Sequence, residues 1–284
     1  MRLLDVMNSP WAILPVQLRE IQNIYITHLR GEKIDIKGVE ARIGKPLKNE
    51  PKSFEIFENV AVLSIEGVLA QKMNLFTEIS GGMSTELISK DLQEVMKDES
   101  IKAVILNIDS PGGTSSGIPE LANLVFEARK QKRIIAFTDN MMASAAYWIG
   151  AAADAVIISS DVVQVGSIGV VTTHTDVSKS EEMQGIKTTE LVAGKYKRIA
   201  SKYAPLTQEG RETIQGHLDY VYSVFVDDIA KFRGVSVEKV LTDMADGRVF
   251  IGRQAIEAGL VDGVSTLDAL IADLNAAGER AIMI

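Results

Sequence analysis

The sequence predicts an α/β fold, and two observations carry that prediction. From Asn59 onward short β-branched runs alternate with stretches of helical periodicity, and a glycine-rich turn closes some of the β-branched runs. Strands alternating with helices of this length imply right-handed βαβ units and a largely parallel sheet. The size agrees, since 284 residues of which 46% are apolar can bury a sizeable core. That is enough for one large domain, or one domain with an appended segment.

Taken in order, residues 1–55 form a mixed segment, with a helix expected at "PVQLREIQNIYITHLRG" and a polar linker at "IGKPLKNEPKS". The main domain then runs over 56–284. "NVAVLSIEGVL", "KAVILNID", "RIIAFTD" and "DAVIISS" read as strands, with "IPELANLVFEARKQ" and the alanine-rich "MMASAAYWIGAAAD" as helices between them. "KTTELVAG" reads as one more strand. "LTQEGRETIQGHLDYVYSVFVDDIAKFRG" then carries apolar residues at helical spacing, with Thr207 as N-cap and Gly234 as stop. "GRQAIEAGL" and "TLDALIADLNAAG" predict two closing helices. The chain shows no internal repeat and no low-complexity tract.

Composition removes several classes of function. A net charge of −8 argues against a nucleic-acid surface, because phosphate binding needs clustered Lys and Arg. The absence of cysteine excludes disulfides, thiolate catalysis and thiolate metal sites. Asp5, Pro10, Pro15, Arg19 and Glu20 interrupt the apolar N-terminal run, and no stretch of about 18 apolar residues follows. Neither a signal peptide nor a membrane anchor is therefore expected, and the chain is expected in the cytoplasm.

Few residues are left for chemistry. His28, His174 and His217 are the only histidines, there is no G-x-S-x-G elbow and no H-E-x-x-H, and no metal site is expected. The turn Pro111-Gly112-Gly113 ends the strand "KAVILNID", where open α/β sheets place their ligands. Adjacent glycines there are either a tight strand-to-helix turn or a source of backbone N–H groups for an oxyanion hole. Ser144 starts the alanine-rich helix. It is either a packing residue or N-cap, or a nucleophile near a helix N-terminus. A nucleophilic hydroxyl needs a base, and with histidine poorly placed the candidates are Lys187, Lys195, Lys197 and Lys202, among which spacing does not choose. A lysine base acts in its neutral form, which burial favours.

"NIDSPGG", "MMASAAYWIGAAAD", "VGSIGVV", "AGKYKRIAS" and "DGRVFIGRQAIEAGLVDG" occur in the order and approximate spacing of the signal peptide peptidase A family of serine proteases. The resemblance covers roughly residues 59–265 and is strongest to the phage and prophage branch of head maturation proteases. It implies the Clp protease/crotonase-like fold of stacked ββα units, preceded here by a small N-terminal helical segment. It also implies a Ser-Lys dyad without cofactor or metal, with Ser144 matching the nucleophile and Lys197 the general base. Gly113 and Ala145 match the donors of the oxyanion N–H groups, and Ser167 matches the residue that orients the lysine. The family usually carries glycine where this chain has Ala145, so the donor there depends on a negative φ. An extended protein substrate is expected along a strand edge near Gly67 and Gly112, with a shallow pocket for small or medium apolar side chains. The family also implies a homo-oligomer, for which the helix over 207–233 is a packing surface. The other readings are a bacterial peptidase degrading signal or membrane peptides, a crotonase-like acyl-CoA enzyme, and a non-catalytic capsid assembly protein.

Overall fold

The computed structural model describes residues 10–29, 54–72 and 82–282. The predicted linker "IGKPLKNEPKS" lies outside them. The centre is a six-stranded sheet in which β3 (Val60–Glu66), β6 (Ala103–Asp109), β8 (Arg133–Thr138), β10 (Ala155–Ile158) and β13 (Gly263–Val264) run parallel. An antiparallel β2 (Glu55–Phe57) closes one edge. Because side chains alternate across a strand, β3 and β6 serve two cores. Ala61, Leu63, Ile65, Val104, Leu106 and Ile108 face the main core with helices α2 (Thr85–Lys97) and α3 (Ile118–Ala128). Val60, Val62, Ala103 and Ile105 face the opposite way, onto Leu267, Leu270, Ile271 and Leu274 of α9 (Leu267–Ile282).

A second, shorter layer is built from the turns that leave the main strands. β4 (Leu69–Ala70), β7 (Gly112–Thr114), β9 (Met141–Ala143) and β11 (Gln164–Gly166) each follow one main strand directly. Parallel pairing joins β4 to β7 and β9 to β11, and a parallel bridge between Ser110 and Met142 links the two halves. Strand, short strand and helix thus repeat as stacked ββα units, with α4 (Ala145–Gly150) completing the unit of β8 and β9. The predicted α/β class and its stacked ββα form are those observed.

The predicted long helix is α6 (Gln208–Arg233), and its ends follow the sequence signals. Thr207 accepts a 3.0 Å hydrogen bond from the Gly210 N–H, and Gly234 adopts φ 65, the left-handed geometry of a helix stop. Apart from Gly210 in its first turn, its burial on this chain lies in the second half, through Phe225, Val226, Ile229, Ala230 and Phe232. Arg233 anchors the C-terminus by a bidentate pair with Asp262, both contacts at 2.7 Å. The predicted closing helices are present as α8 (Arg253–Glu257) and α9.

One expected strand is absent. Residues 187–194, "KTTELVAG", form no strand and lie exposed between α5 (Ser178–Met183) and a run of turns. β-branched residues make a strand only where a partner completes the ladder. No described edge reaches this segment, and Leu191 stands 93% exposed. A short strand, β1 (Trp11–Ile13), appears instead ahead of the predicted N-terminal helix, α1 (Pro15–Leu29).

Candidate active site

Ser144 sits at the junction of β9 and α4 with φ 56 and ψ −118. A non-glycine residue pays a steric cost at positive φ, so its surroundings must impose the angle. Backbone hydrogen bonds do so on three sides: Ser144 N–H to Gly166 O at 2.7 Å, Ala143 N–H to Ser110 O at 3.0 Å, and Trp148 N–H to Ser144 O at 2.9 Å. The short helix α4 is fixed in turn. Tyr147 donates its hydroxyl to Leu260 O at 2.9 Å, and burial pushes that phenol well above its ordinary pKa, so it stays a donor. Trp148 stacks on Phe225 with centroids 4.1 Å apart and donates to Asp228 at 2.9 Å. Burial holds the Asp228 carboxyl above the usual carboxylate range, against the lowering effect of that hydrogen bond.

The Ser144 hydroxyl is fully buried and has the Gly169 carbonyl oxygen at 3.5 Å. Ala143, Ala145 and Ala146 around it are completely covered. The turn that supplies Gly166 O and Gly169 O also holds Ser167, which adopts φ 53 and donates its N–H to Arg248 O at 2.8 Å. Ser167 and Gly169 line a cavity of about 330 Å³ that also touches Ile13, Val171 and Tyr222.

Gly112 brings its backbone against the residues that flank the serine, and Gly113 brings its own against β4. A Cβ on Gly112, whose φ is +103, would stand 3.1 Å from Ala145 N, and one on Gly113 would stand 1.9 Å from Leu69 O. Only glycine fits either position. Ala145 is the first residue of α4, and its N–H has no acceptor within the helix. Positive φ among the described non-glycine residues occurs at Glu58, Ser144 and Ser167 and not at Ala145, so the methyl group replacing the usual hydrogen leaves the amide direction free of strain. Gly112 is thus the glycine that packs against the Ser144 neighbours Ala143 and Ala145, and Gly113 packs against Leu69 of β4.

Gly67 is bonded to the strand that leads into the glycine turn. Its carbonyl accepts the Ser110 hydroxyl at 2.6 Å and its N–H donates to Asp109 O at 2.9 Å, so it braces the glycine turn from behind. Ser110 was missed as a site residue, although it stands in "NIDSPGG" directly before the turn. Its hydroxyl oxygen also accepts from Gly112 N–H at 3.2 Å, tying three parts of the site together. We expect Ser110→Ala to lower kcat by about fivefold with KM little changed, since one buried hydrogen bond to a positioned loop is worth about 1 kcal/mol. Steady-state kinetics beside a circular dichroism spectrum checks this, and an unchanged kcat refutes it.

Lys197 is exposed in the single chain, whereas Ser144 is buried. It lies on an exposed turn after Gly194, and its amine bonds to no described residue. Lys195, another of the candidate bases, faces solvent and pairs with Glu209 at 2.5 Å, which raises its pKa. The Lys202 amine lies over the Tyr203 ring. Among the described residues no group of three or more histidine or acidic side chains is placed to hold a metal ion. No described helix is long and apolar enough to cross a membrane.

A buried serine held at positive φ beside glycine-strand amides, on stacked ββα units, has the layout of a serine-nucleophile acyl-transfer site. The chain belongs to Peptidase family S49, whose sequence model matches residues 127–280. It is 28% identical over 222 residues to capsid assembly protease C of Escherichia phage lambda, covering 78% of this chain and 50% of that protein. It is 30% identical over 217 residues to the chloroplastic serine protease SPPA of Arabidopsis thaliana, covering 76% of this chain and 32% of the relative. Protease 4 of Haemophilus influenzae is 28% identical over 228 residues, 78% of this chain and 35% of its own length. The chain therefore spans about half of the first relative and about a third of the other two.

Proposed function

We propose that the chain is a serine endopeptidase with a Ser144–Lys197 dyad, which cleaves capsid or scaffold proteins during phage head maturation. The observation that carries the chemistry is the strained, buried Ser144 with the backbone of its neighbours Ala143 and Ala145 packed against Gly112 of the glycine turn. Neutral Lys197 takes the proton of the Ser144 hydroxyl as its oxygen attacks the substrate carbonyl, and the Gly113 and Ala145 N–H groups receive the negative charge. The lysine then protonates the leaving amine, and water releases the acyl group by the reverse sequence. Ser167 orients the lysine. Similarity to a phage capsid assembly protease supports the substrate class.

In this reading Lys197 reaches the serine of a neighbouring subunit in a homo-oligomer. Ile186, Leu191, Val192 and Tyr196, all exposed on the segment around Lys197, give it an apolar surface that a single chain leaves uncovered. The exposed first half of α6 extends that surface.

A fluorophosphonate probe tests the nucleophile directly. It should modify the full chain once, on Ser144, as located by peptide mass spectrometry, and leave Ser144→Ala unlabelled. Labelling elsewhere, or none, counts against the serine peptidase.

A further inference from the structure

β7, the strand that carries Gly112 and Gly113, has two neighbours. On one side is β4, and on the other is β1. β1 lies antiparallel to β7, with Trp11 opposite Thr114, Ala12 opposite Gly113 and Ile13 opposite Gly112. The pairing continues at both ends, where Leu14 N–H donates to Pro111 O at 3.1 Å and Ser115 N–H to Pro10 O at 3.3 Å. The opposite edge of β1 is paired as well. Trp11 and Val171 exchange both backbone hydrogen bonds at 2.9 Å, and Val171 belongs to the chain that leads away from Gly169. Without β1, two backbone edges would face one another across a gap one strand wide, at the position of the nucleophile. A peptidase holds an extended backbone in such a gap, by β-augmentation on both sides.

The placement of Ala12 ties this gap to the chemistry. The Ala12 carbonyl oxygen and the Ala145 amide nitrogen stand 2.3 and 3.1 Å from the one point where a Cβ on Gly112 would be. Ala12 thus presents a carbonyl beside the amides assigned to the oxyanion. Its side chain belongs to the main core and is fully covered, whereas Trp11 and Ile13 form a separate cluster with Leu18, Ile21, Val68 and Val171. β1 therefore points one small residue inward and two large apolar residues outward. One further group favours its departure. The Thr114 hydroxyl, opposite Trp11, is buried with no hydrogen-bond partner, a state that costs about 1–3 kcal/mol and is relieved when water enters.

We propose that β1 occupies the peptide groove of its own chain in the pose of a substrate, so that it competes with external polypeptides. The groove accordingly takes an extended segment with a small residue at the Ala12 position and large apolar residues on either side. The assignment of the groove rests on the peptidase reading of Ser144, but occupancy can be measured without turnover.

The test uses the full chain carrying Ser144→Ala and a fluorescein-labelled synthetic peptide of residues 8–16, with binding followed by anisotropy. Adding Ala12→Asp, which puts a charge in the covered position of β1, should tighten peptide binding at least tenfold. A peptide that itself carries Ala12→Asp should not bind. A second variant meets the case in which Ala12→Asp fails to fold. The chain has no cysteine, so Trp11→Cys with Thr114→Cys places the only disulfide across β1 and β7. Oxidation should block the peptide and reduction should restore binding at least tenfold. Equal binding in the oxidised and reduced forms, or equal binding of both peptides, overturns the proposal. Positive binding together with no peptide cleavage by the chain that retains Ser144 would instead count against the peptidase reading.

Discussion

Ser144→Ala and Lys197→Ala each lower peptide cleavage by at least about a thousandfold, because the nucleophile and its base act as one unit, yet mixing the two inactive proteins restores activity. The expectation follows from where Lys197 lies. Its amine is in solvent on an apolar, uncovered segment, while the Ser144 hydroxyl is fully buried with the Gly169 carbonyl beside it. If each site joins Ser144 of one subunit to Lys197 of the next, a Lys197→Ala subunit still offers its serine to the lysine of a Ser144→Ala neighbour. Random assembly of equal amounts then leaves about a quarter of the sites intact, since each of the two donors is correct half the time. The measurement is cleavage of a fluorogenic peptide after dissociation and joint reassembly, with each variant alone as the baseline. No recovery would mean that the lysine serves its own chain, and would remove the shared site while leaving the dyad. Full activity in either single variant would remove the dyad itself.

The parts of this molecule that could be read from sequence are those dictated by neighbours along the chain. The strand "KAVILNID", the Thr207 cap and the Gly234 stop depend on local periodicity and backbone freedom, and each appears where expected. Ser144 was legible only as one of two alternatives. Its positive φ comes from Gly166 and Ser110, which are remote in sequence and whose carbonyls receive the amides of Ser144 and Ala143. The same cause explains the failures. β1 is three residues long, too short for any periodicity, and exists because β7 and Val171 flank it. "KTTELVAG" has the composition of a strand but no flanking edge within the described chain. Ser110 carries no local pattern at all, since its role as a brace is to join Gly67 and Gly112.

Gly113→Ala is the second substitution expected to be severe, and for a reason that separates geometry from flexibility. The added Cβ would stand 1.9 Å from the Leu69 carbonyl oxygen and 2.6 Å from its carbon. Both are backbone atoms of the strand paired to β7, so no side chain can turn aside to make room. Either the β4–β7 pairing opens or the Gly113 amide rotates away from Ser144. In both cases one oxyanion donor is lost, for which about 2.7–4 kcal/mol, or a hundred- to a thousandfold in kcat, is the usual cost. The rate of Ser144 phosphonylation by a fluorophosphonate should fall with kcat, because the phosphoryl oxygen draws on the same N–H donors as serine displaces fluoride. Gly216→Ala provides the contrast, since a Cβ there meets nothing within 4 Å and Gly216 lies inside α6. It should leave phosphonylation unchanged and raise stability by about 0.5–1 kcal/mol, the helix preference of alanine over glycine. If Gly113→Ala is phosphonylated at the rate of the unaltered chain, the amide of residue 113 does not serve the oxyanion. The site would then rest on Ala145 and a donor still to be located.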